Sequence, residues 1–350
     1  MSQEQARRHA RWQTASLQRG WAARRRLPLA VLYGALVWMR RLAYRLGWLK
    51  IRRLPVPVVV VGNVVAGGAG KTPTVLALAE HLQRQGWNPG VVSRGHGRQG
   101  KHVLEVTPDT PATLGGDEPV LIRRRGHLPV YVGADRVAAG LGLLQAHPDV
   151  NVILCDDGLQ HLALHRDVDV VVFDERGVGN GWLLPAGLLR EPWPPRRPST
   201  SPVLILRQYR DGRPPPHLEI PEGMACFDGR RRLARHAVGL DGRRMPLADL
   251  AGIPVVTVAG LAQPQLFFAM LAEQDIRGST EMPLPDHAPA SDYAEALSHS
   301  LPVICTEKDL AKLAQVWHPG LPPVWAIPLE LDMDAAFFAA LDTMLPPHSA

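Results

Sequence analysis

Apolar residues gather into short runs through the first two thirds of the chain, at 56–61, 89–92, 129–132, 151–155, 168–173 and 202–206. The runs are nearly continuous rather than alternating, which predicts strands covered on both faces. Helix-length stretches at 73–85 and 134–146 separate several of them, so the pattern reads as a parallel sheet in an α/β/α sandwich. Proline-rich stretches at 191–201 and 211–216 break this rhythm, and 224–242 reads as a β-ribbon turning at Asp228-Gly229. Apolar strands then restart at 255–259, 303–306 and 324–331, with helices at 263–273 and 308–315 between them. The predicted organisation is an N-terminal arm over 1–53, a larger α/β core over 54–216, a β-ribbon linker over 217–239 and a smaller α/β domain over 240–345.

The arm carries a different pattern. Residues 27–39, LPLAVLYGALVWM, are too few to cross a bilayer, which takes about twenty apolar residues. The run ends on Arg40 and Arg41, not on the small residues of a cleavage site. Leu29, Leu32, Tyr33 and Leu36 share a predicted helical face, with Trp38, Tyr44 and Trp48 nearby. Thirteen lysines and arginines against the single Glu4 give residues 1–53 a charge of +12; the whole chain is +6, which leaves −6 for the rest. Two readings stay open. The arm is an interfacial helix on an anionic membrane surface, or it packs on the core with its arginines as a solvated rim. The mildly acidic body gives no reason to expect nucleic acid. Cys155, Cys226 and Cys305, odd in number and far apart, fit neither a disulfide framework nor a zinc site, and a reducing, cytoplasmic compartment is expected.

Candidate chemistry is concentrated in residues 58–73, VVVVGNVVAGGAGKTP. A buried strand, a glycine-rich turn and a helix opening on Lys-Thr make a P-loop. Backbone N–H groups of Val65, Ala66, Gly67, Gly68, Ala69 and Gly70 would crowd the phosphates, Lys71 brings a mobile cation, and the Thr72 hydroxyl can ligate Mg²⁺. The first glycine of the strict pattern would stand where this chain has Val65. A second apolar strand ends in Asp156 and Asp157, carboxylates delivered to the side where Mg²⁺ would be held. Each element has a bland alternative, a helix-capping turn with a surface lysine and an acidic turn, but the two together favour a nucleotide site.

With these residues the chain resembles the tetraacyldisaccharide 4'-kinases of lipid A biosynthesis. The resemblance spans about residues 27–313, on VGNVVAGGAGKTP, SRGHGR at 93–98, GDEP at 116–119, DDGLQH at 156–161, LLPAGLLREP at 183–192, Asp286-His287 and TEKD at 306–309. It implies a P-loop NTPase-like enzyme with a second, smaller α/β domain, peripheral at the cytoplasmic face of the inner membrane and expected to be a monomer. That enzyme would use ATP and Mg²⁺ to phosphorylate the 4' hydroxyl of an acylated glucosamine disaccharide 1-phosphate. The resemblance further implies Asp117 as a catalytic aspartate paired with His287, alongside Lys71. It places Gln160 and Arg190 at the nucleotide, Glu191 by the metal, and Glu118, Arg136, His161 and His96 toward the substrate. Two positions depart from the family pattern: His96 stands for tyrosine in SRGYGR and Leu188 for proline in AGPLRE. Read alone, Asp117 belongs to a helix cap with an early proline, and His287 is a loop histidine beside Asp286.

Rival classes explain less. A partition-type nucleotide switch would carry a lysine at Ala66. A guanine-specific [NT]KxD is not met by Thr306-Glu307-Lys308-Asp309, whose lysine comes one place late, which favours adenine. A nucleotide-binding recruitment module without kinase activity leaves Asp117 and His287 without a role.

Overall fold

The computed structural model describes residues 16–67, 70–195, 201–261, 263–286 and 288–347. The chain forms two compact units, one containing residues up to 230 together with those from 333 onward, the other residues 231–332.

The larger unit begins with helix α1 (Leu27–Arg45), which has Pro28 in its first turn, where the missing N–H costs nothing. Its sheet is built from β1 (Val58–Gly62), β2 (Pro89–Ser93), the short β3 (Leu104–Glu105), β4 (Val130–Val132), β5 (Val152–Asp156), β6 (Val168–Phe173), β7 (Val203–Arg210) and β8 (Ala225–Leu233). With β15 (Leu329–Met333) beside β8 as the ninth strand, these lie in the order β15-β8-β7-β6-β1-β5-β2-β4-β3. Pairing is parallel from β7 through β4, and β3 closes the edge antiparallel. All residues of β1, β2, β5 and β6 are buried, as a sheet covered on both faces requires. Helices α2 (Lys71–Arg84), α3 (Asp117–Gly126) and α4 (Arg136–Ala146) supply the cover. Val137, Ala139 and Leu143 of α4 join Val58, Val60, Ile153 and Cys155 in one core, while α2 packs on β1, β5 and α3.

The smaller unit has a six-stranded sheet in the order β10-β9-β14-β13-β11-β12. Its strands are β9 (His236–Gly239), β10 (Arg244–Pro246), β11 (Val255–Gly260), β12 (Gly278–Leu284), β13 (Val303–Thr306) and β14 (Val324–Ile327), with helices α5 (Pro264–Ala272) and α6 (Glu307–Val316). The four strands β11 to β14 pair in parallel, and β9 and β10 add antiparallel edges. The last strand expected at 324–331 is split at Pro328 into β14 and β15 (Leu329–Met333), because proline cannot donate to a ladder.

Three expectations change. The turn expected at Asp228-Gly229 is absent: β8 runs straight through both residues, and Arg207 fixes the Asp228 carboxylate from Nε at 2.8 Å and Nη2 at 3.1 Å. The break before β9 falls at Ala234-Arg235. Helix α7 (Ala335–Met344), expected with the smaller domain, packs in the larger unit. His81 of α2 bonds Asp342 through Nε2 at 2.9 and 3.1 Å and stacks on Phe338 at 4.4 Å, and Phe337 meets Phe227 edge-on. Finally, α1 has two faces. Ala30, Tyr33, Gly34 and Val37 turn inward, whereas Leu29, Leu32, Leu36, Trp38 and Met39 are exposed. Tyr33 therefore leaves the face expected for it.

Candidate active site

The site stands at the C-terminal ends of the parallel strands, where loops open outward and ligands of such sheets bind. Lys71 is the first residue of α2, reached through Gly70 in the left-handed region at φ +76°. Its side chain is 6% exposed and its Nζ lies 3.6 Å from Asp157 Oδ1. Arg190 Nη1 donates to the same oxygen at 3.0 Å and to Gln160 Oε1 at 3.2 Å. Gln160 Nε2 donates in turn to Glu191 Oε1 at 2.8 Å and to the Asn63 carbonyl at 3.2 Å, and Glu191 is ion-paired with Arg41 of α1. Five of the expected residues thus form one connected line: Lys71, Asp157, Arg190, Gln160 and Glu191.

The loop at 183–191 is tied to the P-loop by backbone. Ala66 N–H donates to Leu188 O at 2.8 Å and Arg190 N–H to Val64 O at 2.7 Å. Val65 bridges antiparallel to Leu189, with its side chain buried in the core. This accounts for a valine where the strict motif has glycine: the position serves packing and loop pairing.

The two aspartates differ in environment. Asp156 is buried, Ser93 Oγ donates to its Oδ2 at 3.0 Å, and its Oδ1 has no partner among the described residues. Burial, then the negative charge of Glu118, push its carboxyl up to about 7. Burial also acts upward on Asp157, but Lys71 and Arg190 together outweigh it and hold that carboxyl below its ordinary value. Arg136, buried at the start of α4, donates to Ala134 O at 3.0 Å and reaches the Asp157 carbonyl at 3.5 Å. His161 faces Asp135 at 3.9 Å; burial and then Arg136 lower its imidazole to about 4, so it is neutral near pH 7.

Asp117 is the first residue of α3 and half-buried, with Glu118 beside it. The N-cap position itself is Gly116, at φ +88°, and Asp117 and Glu118 make an acidic first turn with Pro119 after them, as the helix-start reading of GDEP expects. A Cβ on Gly116 would come within 3.0 Å of Gly95 Cα; two glycines therefore let the 93–98 loop press on the GDEP turn. His96, in that loop, is exposed. Thr72 is buried in the first turn of α2. Gly68, Ala69 and His287 lie outside the described residues.

Several neighbours escape a reading of the sequence. Gln208 of β7 reaches the Gly70 carbonyl, Arg176 reaches the Ala66 carbonyl, and the Tyr33 hydroxyl of α1 donates to the Arg190 carbonyl at 2.9 Å. Gln208 left one signal, a polar residue within an apolar strand; Arg176 and Tyr33 left none.

The donor set fits a nucleotide and a phosphate-bound Mg²⁺. The orphaned Asp156 oxygen calls for a partner, and the Thr72 hydroxyl is hard-ligand oxygen on the same edge. Among the described residues there is no group of three or more acidic, His or Cys side chains able to hold a metal by themselves; Mg²⁺ characteristically takes one or two carboxylates and completes its shell with phosphates and water.

The chain is similar to known proteins along most of its length. A family model described as tetraacyldisaccharide-1-P 4'-kinase matches residues 22–346. A tetraacyldisaccharide 4'-kinase of Methylibium petroleiphilum is 50% identical over 343 residues, covering 95% of this chain and 92% of its own. Another, from Acidovorax sp. strain JS42, is 48% identical over 323 residues, covering 92% and 90%. Among solved structures, LpxK from Aquifex aeolicus in complex with ATP is similar with a TM-score of 0.78 and 29% identity, over 93% of this chain and 100% of that one.

Proposed function

This chain belongs to the tetraacyldisaccharide-1-P 4'-kinase family, and we propose that it transfers the γ-phosphate of ATP to the 4' hydroxyl of a tetraacyldisaccharide 1-phosphate. The observation that carries the reading is the meeting of Lys71 and Arg190 on one Asp157 oxygen, two cations poised beside a glycine-rich loop where phosphate charge must be neutralised.

In the reaction the 4' oxygen bonds to the γ-phosphorus while the bond from that phosphorus to the bridging oxygen of ADP breaks. The hydroxyl proton has to be accepted, and Asp117, at the start of α3 with Glu118 next to it, is assigned that role together with His287. Lys71 and Arg190 stabilise charge on the moving group. Mg²⁺, when bound, would be held by Thr72, Asp156 and Asp157, with Glu191 behind them, and supplies further neutralisation of the phosphates. Arg136 and neutral His161 line the acceptor side, with Glu118 and His96 assigned to the same side.

The acceptor carries acyl chains, and α1 offers a surface for the membrane that contains them. No helix of the described residues is long and apolar enough to cross a bilayer. Its exposed row, with Trp38 at 58% and Val31 at 71%, flanked by arginines, suits a peripheral position on an anionic leaflet. A cavity of about 910 Å³ between α1 and Trp182, Leu183, Leu189 and Trp193 offers largely apolar room beside that helix for part of an acyl chain.

Transfer of labelled γ-phosphate to purified tetraacyldisaccharide 1-phosphate tests the reading. Label in the lipid product is the expected result; release of inorganic phosphate without labelled lipid would favour a nucleotide switch.

A further inference from the structure

Gln208 lies in β7, 138 residues from the P-loop glycine it holds, and is fully buried. Its Nε2 donates to the Gly70 carbonyl at 3.1 Å and to Thr74 Oγ1 at 2.6 Å. Thr74 Oγ1 donates its own hydrogen to Gly70 O at 3.0 Å, while the ordinary helical bond from Thr74 N–H to that carbonyl is long at 3.4 Å. The amide cannot sit the other way round, because two acceptors would then face each other at Gly70 O. The three groups close into a ring in which both donors of the carboxamide are used.

The ring has a consequence for phosphate. The Gly70 carbonyl and the Lys71 N–H belong to one planar trans peptide, so a carbonyl held toward β7 turns that N–H the opposite way. Lys71 N–H is in the first turn of α2, where it has no intrahelical acceptor and is open to an anion. Gly70 must also stay glycine, since a Cβ there would collide with Gln208 Oε1. Oε1 itself has no partner among the described residues, a cost that a residue kept only for packing would not carry.

We propose that Gln208 is a positioning residue for the nucleotide phosphates: through Gly70 and Thr74 it aims the Lys71 backbone N–H at them. This rests on the nucleotide-site reading above. Arg176, whose Nη1 donates to the Ala66 carbonyl at 3.0 Å while Asp174 holds the rest of its guanidinium, braces the other limb of the loop.

The test compares the full chain with Gln208→Leu, by calorimetric ATP affinity without acceptor, by KM for ATP and for the lipid, and by thermal unfolding. The expected result is a variant that unfolds cooperatively, binds ATP about tenfold more weakly and keeps its KM for the lipid. ATP affinity within about twofold of the unaltered protein overturns the proposal, as does an equal rise in KM for both substrates. Should Gln208→Leu fail to fold, Thr74→Val and Thr74→Ser decide: weaker ATP binding in the first and restoration in the second support the ring, and unchanged binding in both overturns it. Failure of the unaltered protein to label lipid would remove the kinase reading alone, because the affinity comparison does not depend on transfer.

Discussion

The Lys71 ammonium stands 3.6 Å from Asp157 Oδ1, on an oxygen that Arg190 also holds at 3.0 Å. One carboxylate oxygen thereby keeps two cations apart and directed to the same place. Lys71→Ala is expected to lower transfer by at least about a hundredfold while leaving the fold intact, since Arg190 still balances Asp157. Label transfer and thermal unfolding check the two halves of this expectation; wild-type turnover would remove Lys71 from the site. The same variant should raise the Asp157 pKa, which carboxyl-resolved NMR can follow.

Asp156 sets a pH dependence. Burial and Glu118 bring its carboxyl to about 7 in the folded protein, against about 3.9 in an unfolded chain. Between those values the native state holds a proton that the unfolded state has released, so stability falls as pH rises through the window. Asp156→Asn should therefore melt above the unaltered protein at pH 8 without nucleotide, and the difference should vanish at and below about pH 4. Thermal scans across this range measure it, and an advantage that grows toward acid would refute the assignment. Transfer should be lost in the same variant.

Asp117→Ala and His287→Ala should each lower turnover by orders of magnitude, with the double variant losing little more, because groups acting as one unit are non-additive. Steady-state rates of the three variants decide this. If their losses simply multiply, the two residues do not act together.

The two faces of α1 should separate. Leu32→Glu with Leu36→Glu, on the exposed row, should abolish binding to anionic vesicles and leave ATP affinity unchanged. The unaltered protein should bind those vesicles less as salt rises. Tyr33→Phe removes only the hydrogen bond to the Arg190 carbonyl and should lower turnover several-fold, by the roughly 1 kcal/mol of such a bond, with vesicle binding retained. Co-sedimentation and kinetics on the same preparations distinguish the outcomes.

What was legible in the sequence were the features that depend on neighbours in the chain. Continuous apolar runs marked the buried strands, and Gly-Lys-Thr after such a run marked the P-loop, because both follow from local backbone needs. Contacts between distant residues were not legible. Gln208 stands in VLILRQYR, where a polar residue reads as edge exposure, and its partners lie more than 130 residues away. Asp228-Gly229 has turn chemistry, yet Arg207 and the β7–β8 neighbourhood keep it extended. Adjacency along the chain places α7 with the smaller domain, whereas His81, 261 residues earlier, holds it in the larger one.

The docking of α7 on α2 also orders the synthesis of the molecule. The larger unit is interrupted by residues 231–332 and resumes only at Met333, so a ribosome must deliver the entire inserted unit before Asp342 can meet His81 and Phe337 can meet Phe227. Until then the rear of the P-loop helix stays bare, and the nucleotide-binding half cannot be completed early in translation, as an uninterrupted N-terminal domain would be. Closing so long a stretch of chain is entropically expensive and slow, and prior folding of the inserted unit, which draws its two ends into a compact body, shortens the search. A nascent chain stalled or cut before Ala335 would carry every phosphate-binding residue and still lack the last wall of its own core.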